Sequence, residues 1–393
     1  MDVLRNADLI VVGAGFFGLT IAEQAANSRG LRVVVLERRN HIGGNAWSET
    51  DPRSGIEIHR YGSHLFHCNS TEVWEYLNRF SAFSDYRHFV YTLHKGQIYP
   101  MPINLSTICG FFGRAFTPCE ARSLIAQQAR ESSVTNPDNL EDKAVSLIGR
   151  PLYDAFIRGY TAKQWQTDPK ALPADIITRL PVRFTFNSRY FSDKYEGLPL
   201  DGYGRVFTKM AASPTIKVLL GVDYFELRDR IPSATPIIYT GPIDRFYDYR
   251  HGALAWRTLD FEHEVVDIPD FQGCPVLNYA DEDVAFTRVH EFRHLHPERN
   301  YGDKTTIFRE YSRFAGRDDE PYYPINTAGD KGIYDLYRSA ADAEPTVLFG
   351  GRLGTYRYLD MHQAIGAALN LWEQVINPYF MAGAPLKHAC EHA

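Results

Sequence analysis

Apolar residues cluster in short unbroken runs near the start of the chain. Leu9-Ile10-Val11-Val12 is too short for a helix and shows no polar alternation, as expected of a strand buried on both faces of a parallel sheet. Leu19 to Ala26 carries helical spacing that ends near Gly30, and Leu31 to Leu36 is a second buried run closed by Glu37. Ile216 to Leu220, Pro236 to Tyr239 and Thr346 to Phe349 repeat the strand pattern far along the chain. The spacing therefore predicts one discontinuous nucleotide-binding domain made of 1–75, 205–245 and 345–380. Residues 100–185 read as helical, most clearly over Glu120 to Arg130 and Leu140 to Gly149. Polar–apolar alternation over Asp283 to Val289 and Thr305 to Tyr311 predicts antiparallel strands, and 76–99, 186–204 and 246–344 are assigned to a sheet domain. Asp360 is placed to cap a helix from Met361 to about Ile376, and 381–393 reads as a tail. The fold class expected is α/β, a Rossmann-like domain with a helical domain and an antiparallel sheet domain.

Composition narrows the partners. At 393 residues with 44% hydrophobic and 23% charged positions, the chain can bury more than one core, and it is not a disordered or disulfide-scaffold sequence. A net charge of −6 argues against nucleic acid and anionic membranes as partners, so an anionic ligand has to be held by local arginines or backbone amides. The 24 tyrosines and 24 phenylalanines suit amphipathic pocket walls. Five scattered cysteines without a CxxC pair, no signal-peptide pattern and no long apolar run lead to an expectation of a reduced, cytoplasmic protein with no membrane insertion.

The turn after the first strand reads Gly13-Ala14-Gly15-Phe16-Phe17-Gly18. Gly13 allows the tight turn, Gly15 lets a diphosphate approach the backbone, and Gly18 lets helix and strand pack closely. Glu37, at the end of the second strand, is spaced to accept from a ribose hydroxyl. The GxGxxG pattern alone would be weak evidence, because glycine turns are common; strand, helix, second strand and acid together point to a dinucleotide. Arg38 follows, and Gly43-Gly44-Asn45 forms a second glycine turn, a continuation that resembles the FAD-binding subclass.

Other motifs carry less. His290-Glu291-Phe292-Arg293-His294 matches HExxH, but on a strand its histidines would lie about 13 Å apart, too far to share zinc, and no metal is expected. His64, His67 and Cys68 form a short cluster better read as core or flavin-stacking groups than as a metal site. No nucleophile elbow appears. Arginine and tyrosine gather in Gly159 to Trp165, Arg179 to Phe184, Arg189 to Phe191, Thr287-Arg288, Pro321 to Pro324 and Gly351 to Asp360. Such residues suit a nucleotide sugar, whose base needs a flat surface and whose diphosphate needs guanidinium groups.

These runs, together with QGCPVLNYADEDVAFTR from Gln272 to Arg288, identify the chain as resembling the UDP-galactopyranose mutase family, bacterial in type, from Gly13 to about Leu371. The resemblance implies a flavoprotein isomerase, active with reduced FAD, that interconverts UDP-galactopyranose and UDP-galactofuranose for cell-wall biosynthesis through a covalent flavin N5–galactose adduct. It also implies a homodimer and a mobile flap in the helical domain. Arg179 and Arg288 would clamp the diphosphate, with His67 and Asp360 also at the catalytic centre. Phe156, Tyr160, Thr161, Trp165, Tyr190, Phe191, Asn278, Tyr323 and Tyr358 would contact substrate. Gly13, Ala14, Gly15, Phe16, Gly18, Glu37, Arg38, Gly44, Asn45, His64, His67, Val222, Arg352, Tyr358, Leu359 and Asp360 would surround the cofactor. Ser63 stands where many relatives carry proline. The competing expectation is a hydride-transferring FAD oxidoreductase of the amine-oxidase or desaturase type, which would consume an electron acceptor.

Overall fold

The structure, a computed structural model, describes residues 2–132, 134–177 and 182–387. Five parallel strands form the first sheet in the order Val347–Phe349, Ile237–Tyr239, Leu9–Val12, Val33–Glu37 and Ile216–Leu220. The apolar runs are explained by the two faces. Leu9, Val11, Val33 and Val35 pack against the helix Phe16–Arg29, whereas Ile10, Val12, Val34 and Leu36 enter a second core beneath Tyr239 and Phe349. Gly30, at φ +64°, ends that helix in the left-handed conformation. Strands from three separate stretches of the chain make up this sheet.

A second sheet has seven strands, in the order Tyr323–Pro324, Trp256–Val266, Thr305–Phe314, Arg288–Glu291, Val276–Tyr279, Val90–His94 and Gln97–Met101. It is antiparallel except where Val276–Tyr279 runs parallel to Val90–His94. Its last strand extends past the expected sheet–helix boundary at 99/100. The strand expected over Asp283 to Val289 is shorter and later, Arg288–Glu291, because residues 280–287 bend into a loop whose carbonyls turn toward Lys163.

The helical region includes Pro118–Glu131, started by a Thr117–Glu120 capping box, and Leu140–Ile148, capped by Asn139. These pack with Tyr99, Phe116 and Phe156 into a third core. The segment Asp154–Arg158 is a π-helical turn leading into the helix Gly159–Trp165. Asp360 caps Met361–Leu371 as expected, and the chain continues through Trp372–Ile376 to the helix Asn377–Ala382. The expected tail is thus partly ordered structure: Leu386 is buried in the first core, an apolar contact that fixes the chain beyond Gly383. No helix among the described residues is long and apolar enough to cross a membrane.

Candidate active site

A cavity of about 340 Å³ opens at the C-terminal ends of the parallel strands. Gly13, Gly15, Phe16 and Gly18 line one wall, Glu37, Arg38, Gly44 and Asn45 the next, and His64, Val222, Arg352 and Leu359 the remainder. Gly13 sits at φ +99°, and a Cβ on Gly18 would strike the Gly13 carbonyl oxygen, so both glycines are required by backbone geometry. Nothing lies within 4 Å of where a Gly15 Cβ would point, which leaves that wall open to a ligand. Glu37 accepts from the Ala14 amide at 2.8 Å and the Arg39 amide at 2.9 Å, so its carboxylate is fixed at the strand end. The Gly43 amide donates to the Ala14 carbonyl at 2.7 Å and brings the second glycine turn against the first. This arrangement of two glycine turns held together, a fixed acid and an open wall at Gly15 fits a flavin dinucleotide. Arg39, which the sequence reading passed over, also lines the cavity.

At the cavity's other end, His64 donates from Nδ1 to the Gly62 carbonyl at 2.8 Å, and burial pushes its pKa down to about 4, so the ring is neutral. Arg352 donates to the carbonyls of Leu359 at 2.5 Å and Tyr322 at 3.1 Å and lies over the Tyr358 ring at 4.7 Å. Tyr358 donates to Asp360 at 2.9 Å. The N-terminus of the helix Met361–Leu371 therefore faces the cavity through an occupied cap.

Beside the cavity, one face of the seven-stranded sheet forms a floor of charged and aromatic groups. Arg288 lies opposite Glu310 in register, 3.2 Å from its carboxylate, and its Nη2 donates to the Tyr160 hydroxyl. Burial works against both charges, but each partner more than offsets it. Arg288 is held above its usual range and Glu310 is pulled down to about 2, with help from His290 and Thr287. Tyr323 is half-buried nearby and stacks loosely on Tyr358, centroids 5.8 Å apart. Tyr190 is 43% exposed and meets Phe191 edge-on at 4.9 Å. Asn278 presents a buried amide oxygen with no partner among the described residues.

Thr161 and Phe156 are buried. Phe156 packs edge-on against Tyr99 and Phe111, as part of the helical core. Trp165 ends its helix, where Gln166 adopts φ +46°. Arg179 lies outside the described residues.

Several groups unnoticed in the sequence hold this floor. The Lys163 ammonium donates to the carbonyls of Tyr279 and Asp281 at 2.7 Å and of Phe286 at 3.1 Å. It thereby ties the helix bearing Tyr160 to the loop that leads into Arg288, and burial lowers its pKa to about 8. Arg257 is 1% exposed, has no carboxylate partner among the described residues, and donates to Ser312, which donates to the Gln164 carbonyl at 2.7 Å. His67 is bound to Asp193 at 2.5 Å, stacks on Phe191 at 3.7 Å and meets His362 edge-on at 5.1 Å.

His290 pairs with Glu310 at 3.0 Å and with Ser63 at 2.8 Å, while His294 turns to Asp270 at 3.1 Å, so the HExxH histidines serve separate contacts. Glu291 accepts from the Phe271 and Gln272 amides and from Thr305. Asp360, near His67 and His362, is committed to its helix cap and to Tyr358.

Residues 155–358 match the model of the family described as UDP-galactopyranose mutase, and residues 11–80 match an NAD(P)-binding Rossmann-like domain. A Klebsiella pneumoniae protein named "Probable UDP-galactopyranose mutase" is 40% identical over 95% of this chain and 96% of its own. An Escherichia coli dTDP-fucopyranose mutase is 39% identical over 92% of this chain and 96% of its own. A crystal structure of reduced UDP-galactopyranose mutase shares the fold, with a TM-score of 0.68 at 14% identity over 96% of this chain and 97% of that one. The chain therefore belongs to the UDP-galactopyranose mutase family, a family of flavin-dependent enzymes.

Proposed function

We propose that this protein binds FAD and, with the flavin reduced, interconverts UDP-galactopyranose and UDP-galactofuranose. The observation that carries the reading is the placement of Arg288, a half-buried, ion-paired guanidinium, on a tyrosine-rich floor beside a cavity suited to a dinucleotide. The reduced flavin would supply the electron-rich nitrogen that engages the sugar's anomeric carbon.

The chain's own residues supply the rest. Arg288 binds the diphosphate through the donors it keeps beyond Glu310, and Arg179 is assigned to the opposite side of it. Tyr190 and Tyr323 give hydroxyl donors to the phosphates, and Tyr358 joins them where its hydroxyl turns from Asp360. Tyr160, Phe156, Phe191 and Asn278 surround the base, and Trp165 with Thr161 closes the sugar side. His64 and Arg352 bracket the flavin's end of the cavity, and His67, oriented by Asp193, is placed to carry a proton. Holding the diphosphate throughout matters because it leaves and returns; a site that released it would hydrolyse the sugar nucleotide.

A second reading, action on dTDP-fucopyranose, is favoured by the similar identity to the Escherichia coli protein bearing that name. Steady-state assays of the dithionite-reduced enzyme on both nucleotide sugars separate the two. The expected result is a kcat/KM at least tenfold higher for UDP-galactopyranose, with no electron acceptor consumed. A preference for dTDP-fucopyranose would transfer the assignment to that substrate, and stoichiometric use of an acceptor would replace the isomerase by an oxidoreductase.

A further inference from the structure

We propose that Arg39 is a cofactor-binding residue, its Nη1 donating to an oxygen acceptor at the middle of the bound flavin dinucleotide, with Glu320 setting its aim. The inference rests on the flavin reading above and adds a residue to it. The guanidinium is fixed from three directions. Nη2 donates to Asn45 Oδ1 at 2.7 Å and to Glu320 Oε2 at 2.8 Å, and the group lies over the Tyr61 ring at 4.3 Å. Both Nη2 hydrogens are therefore used. Nη1 is buried, lacks a partner among the described residues, and belongs to a side chain that lines the cavity and is only 14% exposed. A buried donor pair left unmet is costly, so a partner that arrives with a ligand is the economical solution.

The position along the cavity indicates what that partner is. Asn45 closes the glycine turn in which Gly44 lies against Gly15, next to the diphosphate-binding turn of the first strand. Glu37 stands on the ribose side, and His64 and Arg352 stand on the flavin side. Between them the cofactor offers diphosphate and ribityl oxygens, and a guanidinium favours the anionic ones. Glu320 also binds Arg38 at 2.7 Å. One carboxylate thus joins two consecutive arginines at the end of Val33–Glu37 to the loop Ala315–Pro321, which forms part of the cavity wall. Arg38 and Arg39 hold that carboxylate below its usual range although burial opposes this, so the clasp stays ionised at neutral pH.

The test is the dissociation of FAD from the full-length holoenzyme, followed by flavin fluorescence on dilution. Arg39→Met is expected to raise the FAD dissociation constant about tenfold to a hundredfold, and Glu320→Gln by a smaller factor. A merely structural Arg39 would lower the melting temperature of flavin-free and loaded protein alike, whereas a donor lowers the stabilisation that FAD confers. An Arg39→Met protein that keeps its FAD dissociation constant within twofold overturns the inference. Should that variant not fold, Arg39→Lys decides, since one ammonium cannot serve Asn45, Glu320 and the cofactor together; unaltered FAD affinity there is equally contrary. Wild-type protein that holds FAD through Arg39 but does not isomerise UDP-galactopyranose would remove the proposed reaction and leave this inference standing.

Discussion

The two halves of the site are built by different physics. The dinucleotide cradle is made of backbone: the Ala14 amide meets Glu37, the Gly43 amide meets the Ala14 carbonyl, and Gly18 clears Gly13, all within the first 45 residues. The floor beside it is made of side chains drawn from distant segments: Arg288 meets Tyr160 across 128 residues, and Lys163 meets Tyr279 across 116. On the proposed reading the cradle selects by shape and tolerates little added volume, while the floor selects by charge. In a chain of net charge −6, the cations of that floor have to be placed individually.

The sharpest way to separate the halves is to damage one and read the other. Arg288→Ala leaves Glu310 without its guanidinium and removes the proposed diphosphate contact; turnover is expected to fall about 10²- to 10³-fold or more while FAD remains bound. Near-normal turnover would show that the floor does not act through charge. Gly18→Val is the converse. Its branched side chain collides with the Gly13 carbonyl, and a stability loss of about 1–3 kcal/mol with loss of FAD retention is expected by thermal unfolding and flavin absorbance.

Lys163→Met should have an intermediate effect, a roughly tenfold rise in KM for the nucleotide sugar with a smaller change in kcat, because the loop before Arg288 loses three ties. The wild type carries the matching pH signature. Below about 8 the ammonium donates all three bonds; above it the group loses its charge and one donor, so KM rises with pH in the wild type and not in the variant. Glu310, held at about 2, titrates far below this window. Its contribution to stability is present above its ordinary value of 4.5 and is lost only as the pH falls from there toward 2. The smallest effect is expected at Ser63, where alanine removes the 2.8 Å contact with His290 and costs about 1 kcal/mol in unfolding.

How much could be read in advance follows the same division. The strand, glycine turn, helix and acid were legible because each local requirement has its own residue type at a fixed spacing, and Asp360 announced its helix in the same way. Arg288 was legible through resemblance. Its partner Glu310 was not, since only strand register places the two together. Lys163 sits in a recognisable run, yet its role depends on carbonyls from a loop that alternation had suggested was a strand. Asp193, His362 and Arg257 carry no local signal, because their meaning comes from pairing across the fold. Arg39 stood next to two expected cofactor residues, and only its unmet Nη1 distinguishes it.

The joint action of cradle and floor is tested most directly by anaerobic chromatography of UDP-galactopyranose incubated with dithionite-reduced or oxidised holoenzyme. The expected result is UDP-galactofuranose from the reduced protein alone, approached from either sugar and formed without net consumption of reductant. No furanose from reduced, FAD-loaded protein, or equal conversion by the oxidised form, would contradict it.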